Sequence, residues 1–181
     1  MDEMGYTRWP EPAASWAAVG PTAVPLAERR GTNNQQWRLI GALNAWTGQV
    51  NYLDAYIVGR ANVIEFYQQV VQAYPEAEHI YVVQDNWSIH RHDEVVAALT
   101  TLPQIAPVWV PTYAAWRNPI EKLWRWLRQD VLTMHRLADD WTALRQRVRW
   151  LLDQFAHGSQ DVLHYVGLLG DGHLAQALAT S

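Results

Sequence analysis

Hydrophobic and polar positions in the first half of the chain follow two different periods, and each period predicts a type of element. Two apolar runs, at 37–46 and 49–58, are separated by a short turn that contains Gly48, a pattern typical of antiparallel strands in a hairpin. Apolar residues then recur at helical spacing over 61–74, and Pro75 ends this predicted helix. This half of the chain therefore predicts two strands and a helix.

Two shorter apolar runs in the middle of the chain predict strands rather than helices. Residues 79–83 and 106–110 are too short for helices and predict two buried strands, the first of them rich in β-branched side chains. A helical pattern at 91–102 lies between them. Pro111 ends the second strand, because proline cannot donate a hydrogen bond to a sheet.

Three helical patterns complete the chain. Asn118 is predicted to cap the first, with Pro119 at the first helical position, where a missing N–H costs nothing. The other two cover 140–156 and 161–169. The whole order predicts an α/β fold, a mixed sheet covered by helices, in which ligands bind at the carboxyl ends of parallel strands. Asp85 follows such a strand.

The composition fits one globular domain without disulfides. A chain of 181 residues is long enough to bury a core, and 49% hydrophobic against 18% charged residues argues against disorder. The eleven tryptophans fall mostly within apolar periodic patterns, where they predict core packing. The absence of cysteine excludes a disulfide framework and a thiolate zinc site.

Charge and hydropathy bear on partners and location. No apolar run approaches roughly 18 residues and no signal peptide is visible, so a soluble, cytoplasmic protein with no membrane partner is expected. The net charge of −4 argues against a free-standing nucleic-acid binder, whose surface should be basic. Any contact with DNA must then come from local basic patches or from a further segment.

Carboxylates at element ends are the candidate catalytic groups. Asp85 at a strand end and Glu121 in the first turn of a helix are the main pair, Asp2 is the third, and Asp54 is a weaker substitute. Mg²⁺ prefers carboxylate oxygens, and two such ions can activate the attacking oxygen and stabilise the leaving one in phosphodiester displacement. Structural roles are open as well: Asp85 as a turn former, and Glu121 as a group that complements the helix dipole or pairs with Arg125.

Two segments resemble a known family. The sequences YVVQDNWSIH and WVPTYAAWRNPIEKLW are similar to the catalytic core of the mariner-type DDE transposases, in particular to their bacterial insertion-sequence relatives. That family has a strand followed by Asp-Asn and a His, and later an Asn-Pro-Ile-Glu segment that enters a helix with Trp. MDEMG and GALNAWTG also match, so the resemblance runs from residue 2 to about residue 132.

The resemblance implies a ribonuclease H-like fold and an Asp-Asp-Glu triad that holds two Mg²⁺ or Mn²⁺ ions. Matched position by position, the catalytic and metal-binding triad is Asp2, Asp85 and Glu121. The implied reaction is hydrolytic cleavage of DNA at the ends of an insertion element, followed by attack of the freed 3′-hydroxyl on target DNA. The implied partners are double-stranded DNA and a second copy of the protein, in a homodimer at the bacterial nucleoid.

Further positions are expected to support the triad. Asn86 and His90 are interpreted as groups that orient the ligands or pack beside them, and Asn118 and Pro119 as a cap that fixes the direction of the helix carrying Glu121. The basic residues of that helix are candidate DNA contacts: Lys122, Arg125 and Arg128. A solvated, salt-bridged face explains these cations equally well.

The chain departs from the family pattern in its motif and at its start. Ala115 and Arg117 replace the family's Pro and Leu, and both changes bear on the placement of Glu121. Asp2 is expected to end the central strand, so a chain that starts one residue earlier is predicted to lack most of its first strand. The family's upstream helix-turn-helix region is expected to be missing.

The predicted division of the chain is an endonuclease domain at 1–135 and a helical extension at 136–181 that packs on it. The leading interpretation is an active transposase catalytic domain. One alternative is a truncated, inactive transposase remnant that associates with DNA or protein. A second alternative is a different ribonuclease H-like nuclease.

Overall fold

The structure is a computed structural model that describes residues 1–14, 34–111 and 118–170. Within these ranges the strands and α-helices are, in chain order, β1 (Asp2–Thr7), β2 (Gln36–Leu43), β3 (Val50–Ala55), α1 (Arg60–Ala73), β4 (Ile80–Gln84), α2 (Asp93–Thr100), β5 (Ile105–Trp109), α3 (Ile120–Leu127), α4 (Trp141–Asp153) and α5 (Gln160–Val166). A 3-10 turn, Ser88–Arg91, precedes α2, and a π-helical turn, Arg128–Leu132, continues α3.

The strands form two sheets that meet at the first residue. β1, β2 and β3 form an antiparallel sheet in that order, with Asp2 opposite Gly41, and β4 pairs with β5 in parallel. The backbone nitrogen of Met1 donates a hydrogen bond to the carbonyl of Val83 at 2.7 Å. Because Asp2 directly follows Met1 and Asp85 comes soon after Val83, this contact joins the two chain segments that carry these acids.

Helices cover both faces of the sheets. Leu39 and Ile40 are successive residues of β2, so they point to opposite faces. Leu39 belongs to a buried core with α3, α4 and α5, whereas Ile40 belongs to a second core with α1 and α2. This arrangement confirms the predicted α/β fold with helices on both sides of the strands.

The helix α3 packs on the first sheet through an apolar stripe. Ile120, Leu123, Trp124 and Leu127 recur at helical spacing and are all buried, and each contributes on the order of 2 kcal/mol of hydrophobic stabilisation. Gly41 on β2 makes room for this helix: a Cβ atom there would lie 2.5 Å from the indole ring of Trp124. The close approach fixes the position of α3 over β1 and β2.

The first strand differs from the sequence-based prediction. The sheet was expected to lack most of this strand because Asp2 was placed at the strand's end, and that expectation was wrong. Asp2 begins a strand of six residues that pairs along its whole length with β2. Met4 and Tyr6 alternate inward and are buried, so the period of two supports a strand that runs forward from Asp2.

Most other elements lie within a few residues of the predicted ranges, and the hairpin is confirmed. The helix predicted at 91–102 is shorter, because His90 and Arg91 belong to the 3-10 turn. Helices α4 and α5 share a core with α3, and the division of the chain at 135 stays a prediction. Ala115 and Arg117 lie outside the described residues. None of the helices in the described ranges is long and apolar enough to cross a bilayer.

Candidate metal and DNA site

Asp2 lies at the start of β1, facing α3. Its Oδ2 accepts a hydrogen bond from the indole N–H of Trp124 at 2.9 Å. Burial, together with the negative charges of Glu121 and Glu3, raises the pKa of the Asp2 carboxyl to about 7. Asp2 and Glu121, which are far apart in sequence, therefore share one electrostatic environment.

Asp85 follows β4 and is half exposed, with 52% of its side-chain surface open to solvent. Its Oδ1 accepts a hydrogen bond from the backbone N–H of Trp87 at 3.0 Å, so Asp85 does act as a turn former. This bond uses one oxygen and leaves the other without a hydrogen bond among the described residues. The turn role is thus compatible with binding a cation.

His90 is buried and joins Asp85 to the first strand. Its Nε2 donates to Oε1 of Glu3 at 2.9 Å, and its Nδ1 lies 3.4 Å from the carbonyl oxygen of Asp85 and 3.7 Å from Oδ1. Burial alone lowers the pKa of this imidazole, but the hydrogen bonds and charges of Glu3 and then Asp85 together outweigh that effect and raise the pKa. His90 thus contacts both Glu3 and Asp85, and its role as an orienting group stays a prediction.

Glu3 is the functional candidate that the sequence analysis missed. It directly follows Asp2, and successive side chains of a strand point to opposite faces. Asp2 therefore faces Trp124 while Glu3 reaches His90. The signal available in the sequence was the pair of adjacent acids, but only the packing of the 3-10 turn against β1 shows what the second acid contacts.

Glu121 is exposed in the first turn of α3 and borders an open cavity of about 290 Å³. The cavity is lined by residues of β1, of α3 and of its π-helical continuation, namely Glu3, Met4, Gly5, Glu121, Trp124, Arg125 and Arg128. Acids and arginines therefore border the same space, which suits a ligand that combines a metal cation with phosphate groups.

The predicted triad is not a tight cluster. Within the described residues, the group of three acids or histidines whose ligand atoms all lie within 4.8 Å of one another is Glu3, Asp85 and His90. The assignment of Asp2, Asp85 and Glu121 as metal ligands stays a prediction. Their donor chemistry fits it, because carboxylate oxygens are the ligands that Mg²⁺ and Mn²⁺ prefer, and the crowding of negative charge around Asp2 favours a cation.

The predicted cap of α3 was wrong in detail. Pro119 is the capping residue, the helix begins at Ile120, and the amide of Asn118 makes no capping bond. Instead, Nδ2 of Asn118 donates to the buried carbonyl of Met1 at 2.9 Å. Asn118 therefore ties the start of the Glu121 helix directly to the start of β1.

Asn86 connects the ends of the two parallel strands. Its Nδ2 donates to the carbonyl of Val110 at 3.0 Å, and its Oδ1 accepts from the guanidinium of Arg91. The guanidinium of Arg91 also lies 4.8 Å from the ring of Trp109. These contacts fix the segment that follows β4, and with it Asp85.

The three predicted DNA-contact residues lie in different surroundings. Lys122 donates through Nζ to the carbonyl of Val166 at 2.9 Å, so it stabilises the end of α5. Arg128 pairs with Glu11. The side chain of Arg125 is exposed at the cavity and has no ion pair or hydrogen bond to any other residue in the described part of the chain.

Asp54 does not serve as a substitute for a metal ligand. It is buried, and its Oδ2 lies 3.0 Å from Arg145 and 2.7 Å from Arg149. Two guanidinium groups already neutralise this carboxylate, so it offers little to a further cation. The same ion pairs occupy two of the arginines of α4.

Asp2 makes the stability of the metal-free protein depend on pH. The pKa of Asp2 is about 7 in the folded protein, against an ordinary value of 3.8 that we take for the unfolded chain. Between pH 3.8 and 7 the folded protein therefore binds more protons than the unfolded chain does. We therefore expect the free energy of unfolding to fall as pH rises from 4 to 7, and Asp2→Asn to flatten this decrease. Urea unfolding at several pH values without divalent ions measures both, and an unchanged slope in Asp2→Asn contradicts the assignment.

Comparison with known proteins gives one consistent result. A family profile described as DDE superfamily endonuclease matches residues 1–145. An insertion element IS630 uncharacterized 39 kDa protein from Shigella sonnei is 27% identical over 145 residues, which is 80% of this chain and 41% of that protein.

Solved structures show the same fold. The chain superposes on the Mos1 strand transfer complex with a TM-score of 0.67 at 16% identity, covering 98% of this chain and 51% of that chain. For the Mos1 mariner paired end complex with Mn the TM-score is 0.63 at 17% identity, covering 98% and 53%. The chain thus spans about half the length of the relatives that it matches.

Proposed function

Because the chain belongs to the DDE superfamily of endonucleases, we propose that it is the catalytic domain of an insertion-element transposase. It cleaves DNA strands and transfers them by in-line phosphodiester displacement. The observation that supports this most is the shared electrostatic environment of Asp2 and Glu121 beside an open cavity, with Asp85 at the carboxyl end of a parallel strand. Acids from three separate elements are what such a reaction requires.

Asp2, Asp85 and Glu121 are the residues that would hold two Mg²⁺ or Mn²⁺ ions. When bound, the ions polarise the phosphate and lower the pKa of the attacking water or hydroxyl. The protein's own part is to place the carboxylates: the indole of Trp124 holds Asp2, and the amide of Asn118 holds the start of α3. Mos1 paired end complexes have been solved with Mn and with Mg.

Double-stranded DNA is the proposed substrate, bound by the full-length transposase as a homodimer at the bacterial nucleoid. Solved relatives include a Mos1 paired-end complex with the left transposon end. Among the three basic residues of α3 and its π-helical continuation, Arg125 is the one left free by the described residues for a phosphate. We therefore assign the phosphate contact at the cavity to Arg125.

Replacing Arg125 by Gln is expected to weaken DNA binding about equally for all sequences. The loss of one phosphate contact should reduce the slope of log affinity against log salt concentration by about 1. Fluorescence anisotropy with a labelled duplex at several salt concentrations measures this slope.

Arg147→Gln is the matched control for Arg125→Gln. Arg147 is an exposed arginine of α4 that does not line the cavity, so its replacement makes the same change in net charge elsewhere. We expect a smaller change of slope in this variant. Equal slopes in the two variants contradict the assignment of Arg125.

The proposed function is tested by nicking of supercoiled plasmid DNA with the 181-residue protein. We expect relaxed circles with Mn²⁺ or Mg²⁺ and none with EDTA. The same preparations are checked for folding by circular dichroism and for Mn²⁺ binding by calorimetry. A folded protein that neither binds Mn²⁺ nor nicks DNA contradicts the proposal. Preference for RNA–DNA hybrids over duplex DNA points to a different ribonuclease H-like nuclease.

A further inference from the structure

We propose that Glu3 and His90 form a positioning pair that holds Asp85 in place against strand β1. This inference rests on the proposed function, in which Asp85 is a metal ligand. It adds a role for Glu3, an acid on the opposite face of β1 from Asp2, and it gives His90 a defined partner.

The pair of Glu3 and His90 is buried between the segments that carry Asp2 and Asp85, two acids that the proposed reaction needs at a fixed separation. The side chain of His90 is fully buried, and that of Glu3 is 13% exposed. One imidazole nitrogen donates to Glu3 on β1, and the other faces the backbone carbonyl and the carboxylate of Asp85 beyond β4. The imidazole therefore spans the gap between β1, which carries Asp2, and the segment after β4, which begins with Asp85.

The segment from Asp85 to His90 is closed by its own hydrogen bonds. The N–H of Trp87 donates to Oδ1 of Asp85, and the N–H of His90 donates to the carbonyl of Trp87 at 3.0 Å. An orientation imposed on the ring of His90 is therefore passed to the carboxylate of Asp85. Glu3 supplies that orientation.

Removing either partner leaves a buried polar group unpaired. An unsatisfied buried donor or acceptor is unfavourable, so the ring is expected to turn away or admit water. The carboxylate of Asp85 then samples several positions and binds a cation less well. Partners that orient metal ligands in this way typically change metal affinity by about 10–100-fold when they are replaced.

In this proposal Glu3 acts through His90, to which its Oε1 is bonded, while its second oxygen has no hydrogen bond among the described residues. Oε1 of Glu3 accepts from Nε2, and both nitrogens of the ring face oxygen atoms of the protein. A direct role of Glu3 as a metal ligand predicts a different pattern of variant effects. The two roles are therefore separable by experiment.

The test is Mn²⁺ binding to the 181-residue protein, measured by calorimetry and by electron paramagnetic resonance. Glu3→Gln and His90→Phe are each expected to weaken Mn²⁺ binding about 10–100-fold. The double variant should lose no more than the weaker-binding single variant, because both changes break the same contact. His90→Gln, whose amide can replace Nε2 as a donor to Glu3, should recover part of the loss.

Controls separate positioning from folding and from direct ligation. Glu78→Gln removes an exposed acid away from this pair and should leave Mn²⁺ affinity unchanged. Thermal unfolding identifies any variant that fails to fold. If His90→Phe does not fold, His90→Gln is compared with Glu3→Gln in its place. Additive losses, or a loss in Glu3→Gln alone, show that Glu3 is a ligand and overturn the pair.

The outcome is distinguishable from failure of the proposed function. If Asp85→Asn abolishes Mn²⁺ binding and Glu3→Gln and His90→Phe do not affect it, the positioning pair is wrong and the metal site stands. If Asp85→Asn itself leaves Mn²⁺ binding unchanged, the proposed assignment of Asp85 fails first.

Discussion

Asp85→Asn and Glu121→Gln are each expected to lower metal-dependent nicking of plasmid DNA by roughly 10³-fold, which corresponds to about 4 kcal/mol of lost transition-state stabilisation. Both changes keep the size of the side chain and remove the charge that a divalent cation needs. The exposed position of both carboxylates means that the fold should tolerate them. The rate of relaxed-circle formation measures the effect.

Neutral replacements of exposed acids elsewhere are the matched controls. Asp93→Asn on α2 and Glu65→Gln on α1 make the same chemical changes at exposed positions away from the cavity. We expect both controls to nick DNA at rates close to that of the unchanged protein. If Asp85→Asn or Glu121→Gln behaves like its control, that acid has no place in the reaction.

Gly41→Ala is expected to destabilise the protein by about 3 kcal/mol. The new Cβ would lie 2.5 and 2.8 Å from two ring carbons of Trp124 and 3.3 Å from Cδ1 of Ile120. Overpacking of this kind costs about 1–3 kcal/mol, and displacement of the indole also loses its hydrogen bond to Asp2. Urea unfolding measures the stability, and nicking should decrease in the same variant because Asp2 loses its partner.

Gly5→Ala is the control for this overpacking. Gly5 lies in the neighbouring strand, and the nearest atom to a Cβ there is a backbone oxygen at 4.0 Å. Alanine is better than glycine in a strand by roughly 0.5–1 kcal/mol, so we expect unchanged or slightly higher stability. Equal destabilisation by both substitutions shows that strand pairing, rather than the contact with Trp124, limits the packing.

The remaining members of the α3 interface explain why one glycine has this effect. Leu123 and Leu127 are fully buried against the sheet, so the helix cannot move outward without exposing them. Close-packed interiors respond to an added methyl group by strain rather than by expansion. The position of α3 is therefore fixed by the close contact at Gly41 on the sheet and by the buried leucines of the helix itself.

The sequence by itself determined the order of elements and two of the acids' positions. Periodicity located the hairpin, the helices and both parallel strands because side-chain burial on a face repeats with the geometry of each element. It also placed Asp85 after a strand and Glu121 in a first helical turn, since these positions follow from local boundaries. Such features depend on neighbours along the chain.

The tertiary structure decided what each polar side chain contacts. Pairing with β2 made Asp2 the first residue of a strand, and packing of α3 brought Trp124 to its carboxylate. Long-range contacts also gave Asn118 a partner in Met1, and joined Glu3 to His90. The hydrogen-bonding partner of a side chain across the fold depends on the distance between elements, and no local pattern of residues encodes that distance.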